Sequence, residues 1–196
     1  MPELPEVELV SSTLQKLVAG RKLTNTEVRR EKLIPENDAD DFVRRLSNVS
    51  ITAVARRGKH ILISLDSEET LLVHLRMTGR FLLLGLDREL PKHSHAIFTF
   101  ADSDRLVFED QRHFGFMRLL ANQELSTCGQ LASLAPEPLS DEFSISYFRS
   151  VLLNSKRSIK ELLLDQTKVC GVGNIYASES LFLANIDPQQ KAGQIT

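Results

Sequence analysis

The sequence predicts an α+β fold, an N-terminal antiparallel β-sandwich or barrel with flanking helices followed by a helical domain, and three observations carry that reading. From residue 22 to residue 120 the pattern has period two, in about eight short β-rich runs: KLTNTEVRR, SITAVARR, KHILISL, TLLVHLRM, RFLLL, HAIFTF, RLVFED and FMRLL. Polar breaks such as Asp66-Ser67-Glu68-Glu69 and Asp102-Ser103-Asp104 separate several of them, as antiparallel hairpins require. Helical spacing governs the segments on either side. Between the two regimes, Ala135-Pro136-Glu137-Pro138-Leu139-Ser140 carries two prolines that fix φ and disfavour helix in the residue before each.

Taken in order, residues 5–18 put Val7, Val10, Leu14, Leu17 and Val18 at helical spacing, with Pro5 suited to a first turn and Gly20 just past the end. A short helix over roughly 39–47 interrupts the strands. After the prolines, Ser140 or Asp141 is placed to cap a helix over EFSISYFRSVLL. Ser155 or Ser158 is placed to cap one over IKELLLD, and Asn174 opens a third, IYASESLFLANI. The expected organisation is therefore a β domain over 1–134, a linker over 135–142 and a helical domain over 143–196. The closing stretch PQQKAGQIT reads as a connection more than as the finish of a domain. No internal repeat is visible.

Composition narrows the class. The chain has 196 residues, 42% hydrophobic and 26% charged, which argues against disorder, a collagen-like repeat or a disulfide scaffold. No apolar run approaches the length of a membrane span. MPELPEVE has three glutamates and no basic residue, unlike a signal peptide, so a cytoplasmic protein is expected. Cys128 and Cys170 belong to no CxxC pair, so reduced thiols are expected and no zinc site. With 24 Lys and Arg against 26 Asp and Glu, net charge gives no argument for nucleic acid.

Four segments carry candidate chemistry. Removal of Met1 would make Pro2 a secondary amine, and an α-amino group titrates near 7.7–8.0 against about 10.4 for lysine. Such an amine attacks an electrophilic carbon and collapses to an iminium, as a Schiff-base lysine does. Glu3 and Glu6, at a helix start, are favoured by the dipole and able to move protons. The plain alternative is a proline near a terminus and glutamates in a first turn. Lys59, in Arg56-Arg57-Gly58-Lys59-His60, is a charge aimed at a phosphate or leaving group, or else part of a solvated turn.

HLRMTG and DQRHFG each end a strand in a glycine-closed loop, projecting Met77 in one and Arg112 with Phe114 in the other. An apolar wedge with an arginine fills a gap in a duplex and pairs an orphaned base, although Met and Phe at strand ends are usually core. His93 and His95 are candidate phosphate contacts but make a poor metal site. Gly171-Val172-Gly173-Asn174 lets backbone approach a phosphate at a helix N-terminus, yet lacks the third glycine of a dinucleotide fingerprint.

In this order, MPELPEVE, RRGKHILISL, HLRMTG, DQRHFGF, APEPLSDEF and GVGNIYASESLF resemble the formamidopyrimidine-DNA glycosylase family over essentially all 196 residues. The resemblance implies a β-sandwich, then a helix-two-turn-helix domain, then a zinc finger whose four cysteines do not occur here. The chain thus corresponds to the first two-thirds of such an enzyme, with no cofactor of its own and zinc expected in the longer family member. The implied roles are Pro2 as nucleophile, Glu3 as acid, Glu6 as its support and Lys59 beside the damaged nucleotide. Met77, Arg112 and Phe114 would fill the space of a flipped base, and Lys160 and Asn174 would bind the DNA backbone. His113 departs from the second arginine, and Gln111 from the proline, of many relatives. The expected activity is excision of oxidised purines from double-stranded DNA by a monomer, with cleavage of the abasic strand. The alternatives are an endonuclease VIII-type preference for oxidised pyrimidines and a non-catalytic binder of damaged or abasic DNA.

Overall fold

The computed structural model describes residues 1–153 and 155–195. Its elements are α1 (Leu4–Val18), β1 (Leu23–Val28), α2 (Ala39–Arg45), β2 (Ile51–Arg57), β3 (His60–Leu65), β4 (Glu69–His74), β5 (Arg80–Leu84), β6 (Ser94–Phe100), β7 (Arg105–Glu109) and β8 (Phe116–Ala121). Four helices follow: α3 (Gly129–Ala132), α4 (Ile145–Leu152), α5 (Ile159–Leu164) and α6 (Asn174–Leu183). The chain forms two compact units, Met1–Leu125 and Ser126–Thr196. This division lies upstream of the linker expected at 135–142. The proline segment is tied into the second unit, where Ala135 N–H donates to Gln166 O at 2.9 Å and Cys170 N–H to Pro136 O at 3.4 Å.

In the first unit, two four-stranded antiparallel sheets run in the orders β1-β6-β7-β5 and β2-β3-β4-β8. Both sheets contribute to a shared core, in which Leu23, Phe98, Phe100 and Phe108 of one sheet join Ile51, Ile61, Leu71 and Met117 of the other. Strands β4, β6 and β7 are buried along nearly their whole length, so the expected period of two does not hold there. Val7, Leu14 and Val18 of α1 join the same core, whereas Leu17, expected on that face, is 44% exposed.

Edges of the second sheet are covered. Gln15 on α1 accepts from Val54 N–H on the edge strand β2. On β8 the side chain of Asn37 acts as a strand residue would, accepting from Leu119 N–H at 2.9 Å and donating to Leu119 O at 3.0 Å.

The second unit has its own apolar cluster, built on Leu152, Ile159, Leu162, Val169 and Leu181. Ser144, not Ser140 or Asp141, caps α4, so that helix starts later than expected. Ser158 caps α5 and forms a capping box with Glu161.

Candidate active site

Strand register brings the sequence-predicted residues of the first unit to one end of it. Across the second sheet Arg57 pairs with His60, His60 with His74, and His74 with Phe116. Across the first, Arg80 pairs with Glu109 and Glu109 with Ser94. Three connections project beyond these rows: the two-residue turn Gly58-Lys59, the crossing 75–79 from β4 to β5, and the crossing 110–115 from β7 to β8. Both crossings pass from one sheet to the other between strands that are hydrogen-bonded neighbours, so they lie side by side.

Helix α1 delivers the N-terminal residues to the same end, because it runs against β2. Gly20 N–H donates to Ile51 O, Gln15 accepts from Val54, and Glu8 pairs with Arg56 at 2.7 Å. Following that direction past Glu8 leads to Glu6, Glu3 and Pro2. Glu3 is the N-cap of α1 and only 2% exposed, and its N–H donates to Glu6 Oε2 at 2.8 Å. Glu6 therefore acts on Glu3 by fixing its backbone. Pro2 is half-buried.

Lys59 is 6% exposed, which rules out the solvated-turn reading. Gly58 takes φ +58°, the left-handed conformation that a two-residue hairpin of the mirror-image type needs. The Arg56 guanidinium donates to Gly58 O at 3.0 Å as well as pairing with Glu8, so one side chain links α1 to the lysine turn.

Met77, Arg112 and Phe114 stand in solvent rather than in the core, with Met77 42% and Phe114 54% exposed. The Arg112 guanidinium lies 5.1 Å from the Phe114 ring centroid, a cation–π arrangement. Beneath them Asp110 is 1% exposed. Its Oδ2 accepts from Gly115 N–H at 2.7 Å, and its Oδ1 from Arg112 N–H at 3.2 Å and from the Thr78 hydroxyl. Burial opposes ionisation of Asp110, but these donors outweigh it and hold its pKa below the ordinary aspartate value. Two glycines permit the close packing. A Cβ on Gly115 would come within 2.7 Å of Phe108 Cζ, and one on Gly79 within 2.5 Å of Leu75 O and 2.8 Å of Phe108 Cζ.

The histidines line the same end. His60 and His74 are buried, 4.8 Å apart edge to face, and both contact the Phe116 ring. His74 Nδ1 accepts from Arg76 N–H at 2.9 Å, so that ring is the neutral tautomer with its proton on Nε2. His95 Nε2 lies 2.7 Å from Asp110 O and 2.9 Å from His113 Nδ1, and the His93 ring is 5.8 Å from that of His113.

In the second unit, the Lys160 ammonium donates to Ser178 Oγ at 3.0 Å, one turn beyond Asn174, which is exposed at the start of α6. A cation thus sits by the positive end of the helix dipole. Gln166 shapes the preceding loop, accepting from Gly171 N–H and donating to Val172 O, each at 2.9 Å. Sequence reasoning missed Gln166, Asp110 and Thr78 as organisers. The signal for Asp110 was its place between a strand end and a glycine five residues on, the pattern of a side chain that accepts from its own loop.

Cys128 and Cys170 are buried, and among the described residues no cluster of three or more His, Cys, Asp or Glu could hold a metal ion. The sequence has two cysteines, fewer than the four of the zinc site that the resemblance implies. Among the described residues no helix is long and apolar enough to cross a membrane.

Residues 1–117 match the formamidopyrimidine-DNA glycosylase N-terminal domain, and residues 134–196 match the H2TH domain of the same enzymes. The formamidopyrimidine-DNA glycosylase of Lactiplantibacillus plantarum is 40% identical over 196 residues, all of this chain and 71% of its own length. That of Bacillus licheniformis is 44% identical over 198 residues, with the same coverage. Among solved structures, wild-type Lactococcus lactis Fpg in complex with DNA containing an oxidised pyrimidine superposes with a TM-score of 0.95 at 34% identity. It covers 100% of this chain and 73% of that one. The chain belongs to the formamidopyrimidine-DNA glycosylase family.

Proposed function

We propose that this chain is a DNA repair glycosylase and abasic-site lyase that excises oxidised purines, 8-oxoguanine and formamidopyrimidines, from duplex DNA. The observation that carries the reading is the grouping at one end of the first unit of a buried carboxylate, a buried lysine and three exposed side chains on paired crossings. Exposed Met77, Arg112 and Phe114 suit insertion into the gap of a flipped nucleotide. Flipping costs a few kcal/mol, part of which filling the gap and pairing the orphaned base recover.

In the proposed chemistry Met1 has been removed and the Pro2 nitrogen attacks C1′ of the flipped nucleotide. The N–C1′ bond forms as the glycosidic bond breaks, and the departing base takes a proton. The Pro2 nitrogen then loses its proton and forms a double bond to C1′ as the C1′–O4′ bond breaks, and Glu3, buried and held through Glu6, is the group assigned to protonating O4′. The resulting iminium acidifies C2′. Loss of that proton expels the 3′ phosphate, and a second elimination expels the 5′ phosphate. Lys59, held buried at the hairpin tip, offers its ammonium to the anionic groups around the nucleotide. Lys160 and the α6 N-terminus at Asn174 are assigned to phosphate oxygens, and His93 to a further phosphate.

Borohydride trapping on abasic duplex DNA tests the lyase. A covalent protein–DNA adduct is expected, and Pro2→Gly is expected to abolish most of it while retaining DNA binding. Equal loss of both would remove Pro2 as nucleophile, and no adduct from the processed chain would favour the non-catalytic binder. The oxidised-pyrimidine reading has one observation in its favour, the lesion class in the Lactococcus lactis complex. Single-turnover excision of 8-oxoguanine against an oxidised pyrimidine in the same sequence decides it. Faster release of 8-oxoguanine is expected.

A further inference from the structure

We propose that Thr78 is a positioning residue whose hydroxyl locks the Met77 crossing to the Arg112 and Phe114 crossing, so that the three exposed side chains act as one rigid unit. The inference rests on the wedge assignment above. Both capacities of the hydroxyl are used: it donates to Asp110 Oδ1, and it accepts from Arg112 N–H at 3.0 Å. Thr78 belongs to the first crossing and the other two residues to the second, so these bonds join segments more than thirty residues apart in sequence.

Asp110 makes the joint stiff. Its second oxygen takes Gly115 N–H at the far end of the same crossing, so one buried carboxylate spans that loop while the threonine ties it sideways. Gly79 and Gly115 close the arrangement, since a Cβ on either would meet Phe108. Arg76 and His113 adopt left-handed φ of +54° and +61°, one in each crossing. Non-glycine residues hold that conformation when their surroundings over-determine it. A wedge inserted into a stacked duplex must not yield under load. Three side chains on two independent loops would each lose freedom on insertion, whereas on joined loops that entropy is already lost in the free protein.

The test is a double-mutant cycle, Thr78→Val against Arg112→Ala, read by fluorescence anisotropy on a duplex carrying a tetrahydrofuran abasic analogue and on the corresponding single strand. Thr78→Val keeps the shape and removes the hydroxyl. Because the bond lost is to a charged acceptor, it is expected to weaken duplex binding roughly tenfold. Single-strand binding is expected to stay within about twofold, where no gap calls on the wedge. Thr78→Ser, which keeps the hydroxyl, is expected to bind as the unmodified chain does. In the Arg112→Ala background the effect of Thr78→Val is expected to shrink to less than half. A full effect in both backgrounds, or a Thr78→Ser loss equal to that of Thr78→Val, overturns the proposal. An Arg112→Ala variant that binds the lesion duplex normally instead overturns the wedge assignment itself. Should Thr78→Val not fold, Thr78→Ala enters the same cycle.

Discussion

At the scale of single residues, the molecule holds ionisable groups where burial alone would exclude them. Glu3, Lys59 and Asp110 are each at most 6% exposed, and a buried charge costs several kcal/mol unless its partners are good. Asp110 is answered by four donors in its own surroundings, three main-chain N–H groups and the Thr78 hydroxyl. Glu3 stands at a helix N-terminus, where the dipole favours a carboxylate. Glu3→Gln removes the proton transfer proposed for this residue while keeping size and polarity, so base release is expected to slow by 10²-fold or more with lesion binding within a few fold. An unchanged single-turnover rate would count against Glu3. The histidine pair gives a prediction of a different kind. Burial lowers His60 to about 4, and burial followed by the neighbouring His60 lowers His74 to about 3, both from 6.5. Unfolding therefore takes up protons once the pH drops below 6.5, and stability falls with pH down to the folded values, with no contribution above 6.5. For His60 alone the loss at pH 4 is on the order of 3 kcal/mol. Replacing both rings by asparagine is expected to flatten the fall in urea midpoint between pH 6.5 and 4. A slope unaffected by the double replacement would show that other groups set it.

Elements are joined to this end of the first unit by a few side chains. Arg56 links α1 to the lysine turn, Gln15 fastens α1 along β2, and Thr78 and Asp110 fasten the crossings. The glycines that follow Met77 and Phe114 are packing requirements of the same kind. Gly115→Ala is expected to destabilise by about 1–3 kcal/mol, because the added carbon meets a ring that has to shift. Gly79→Ala is expected to cost more, since its nearest obstacle is the main-chain oxygen of Leu75. Thermal unfolding of the two variants gives the order, and Gly115→Ala proving the worse would mean that the Phe108 ring is the stiffer neighbour. Strands were legible as short β-rich runs between turn signals, although β4, β6 and β7 are buried along nearly their whole length rather than on one face, and α1 and α5 were legible because periodicity and caps agreed. The start of α4 was misplaced because Ser144, which caps it, lies inside the run read as helical, and local sequence does not rank it against Ser140 or Asp141. Met77 and Phe114 read equally well as core, and only strand register shows that they lie on crossings outside it. Thr78 and Asp110 were invisible as a pair for the same reason. Their bond depends on β4 pairing with β8 and β5 with β7, and no spacing in the chain encodes that.

At the scale of the whole molecule, charge is nearly balanced, at −2, so long-range attraction to a polyanion is weak and binding has to come from local contacts. Two kinds of contact are assigned to different units. The second unit carries Lys160 beside the α6 N-terminus, proposed to meet phosphates, and the first carries the exposed Met77, Arg112 and Phe114, proposed to fill the gap. Phosphate contacts release counterions, so each contributes a slope of about 0.9 in log K against log salt, independent of sequence or damage. Wedge contacts are made only where a base has left the stack. Lys160→Gln is therefore expected to weaken binding to undamaged and lesion duplexes by the same factor and to lower the salt slope by about 0.9 for both. Arg112→Ala is expected to weaken only the lesion duplex and to leave the slope as it was, because the target proposed for it is an orphaned base. Titrations of both variants on both duplexes, from about 50 to 200 mM salt, separate the two contributions. If Arg112→Ala lowered the slope, its guanidinium would be gripping the backbone. If Lys160→Gln left undamaged DNA untouched, the ammonium would not be a phosphate contact, and the helical unit would have to hold DNA through α6 and its preceding loop alone.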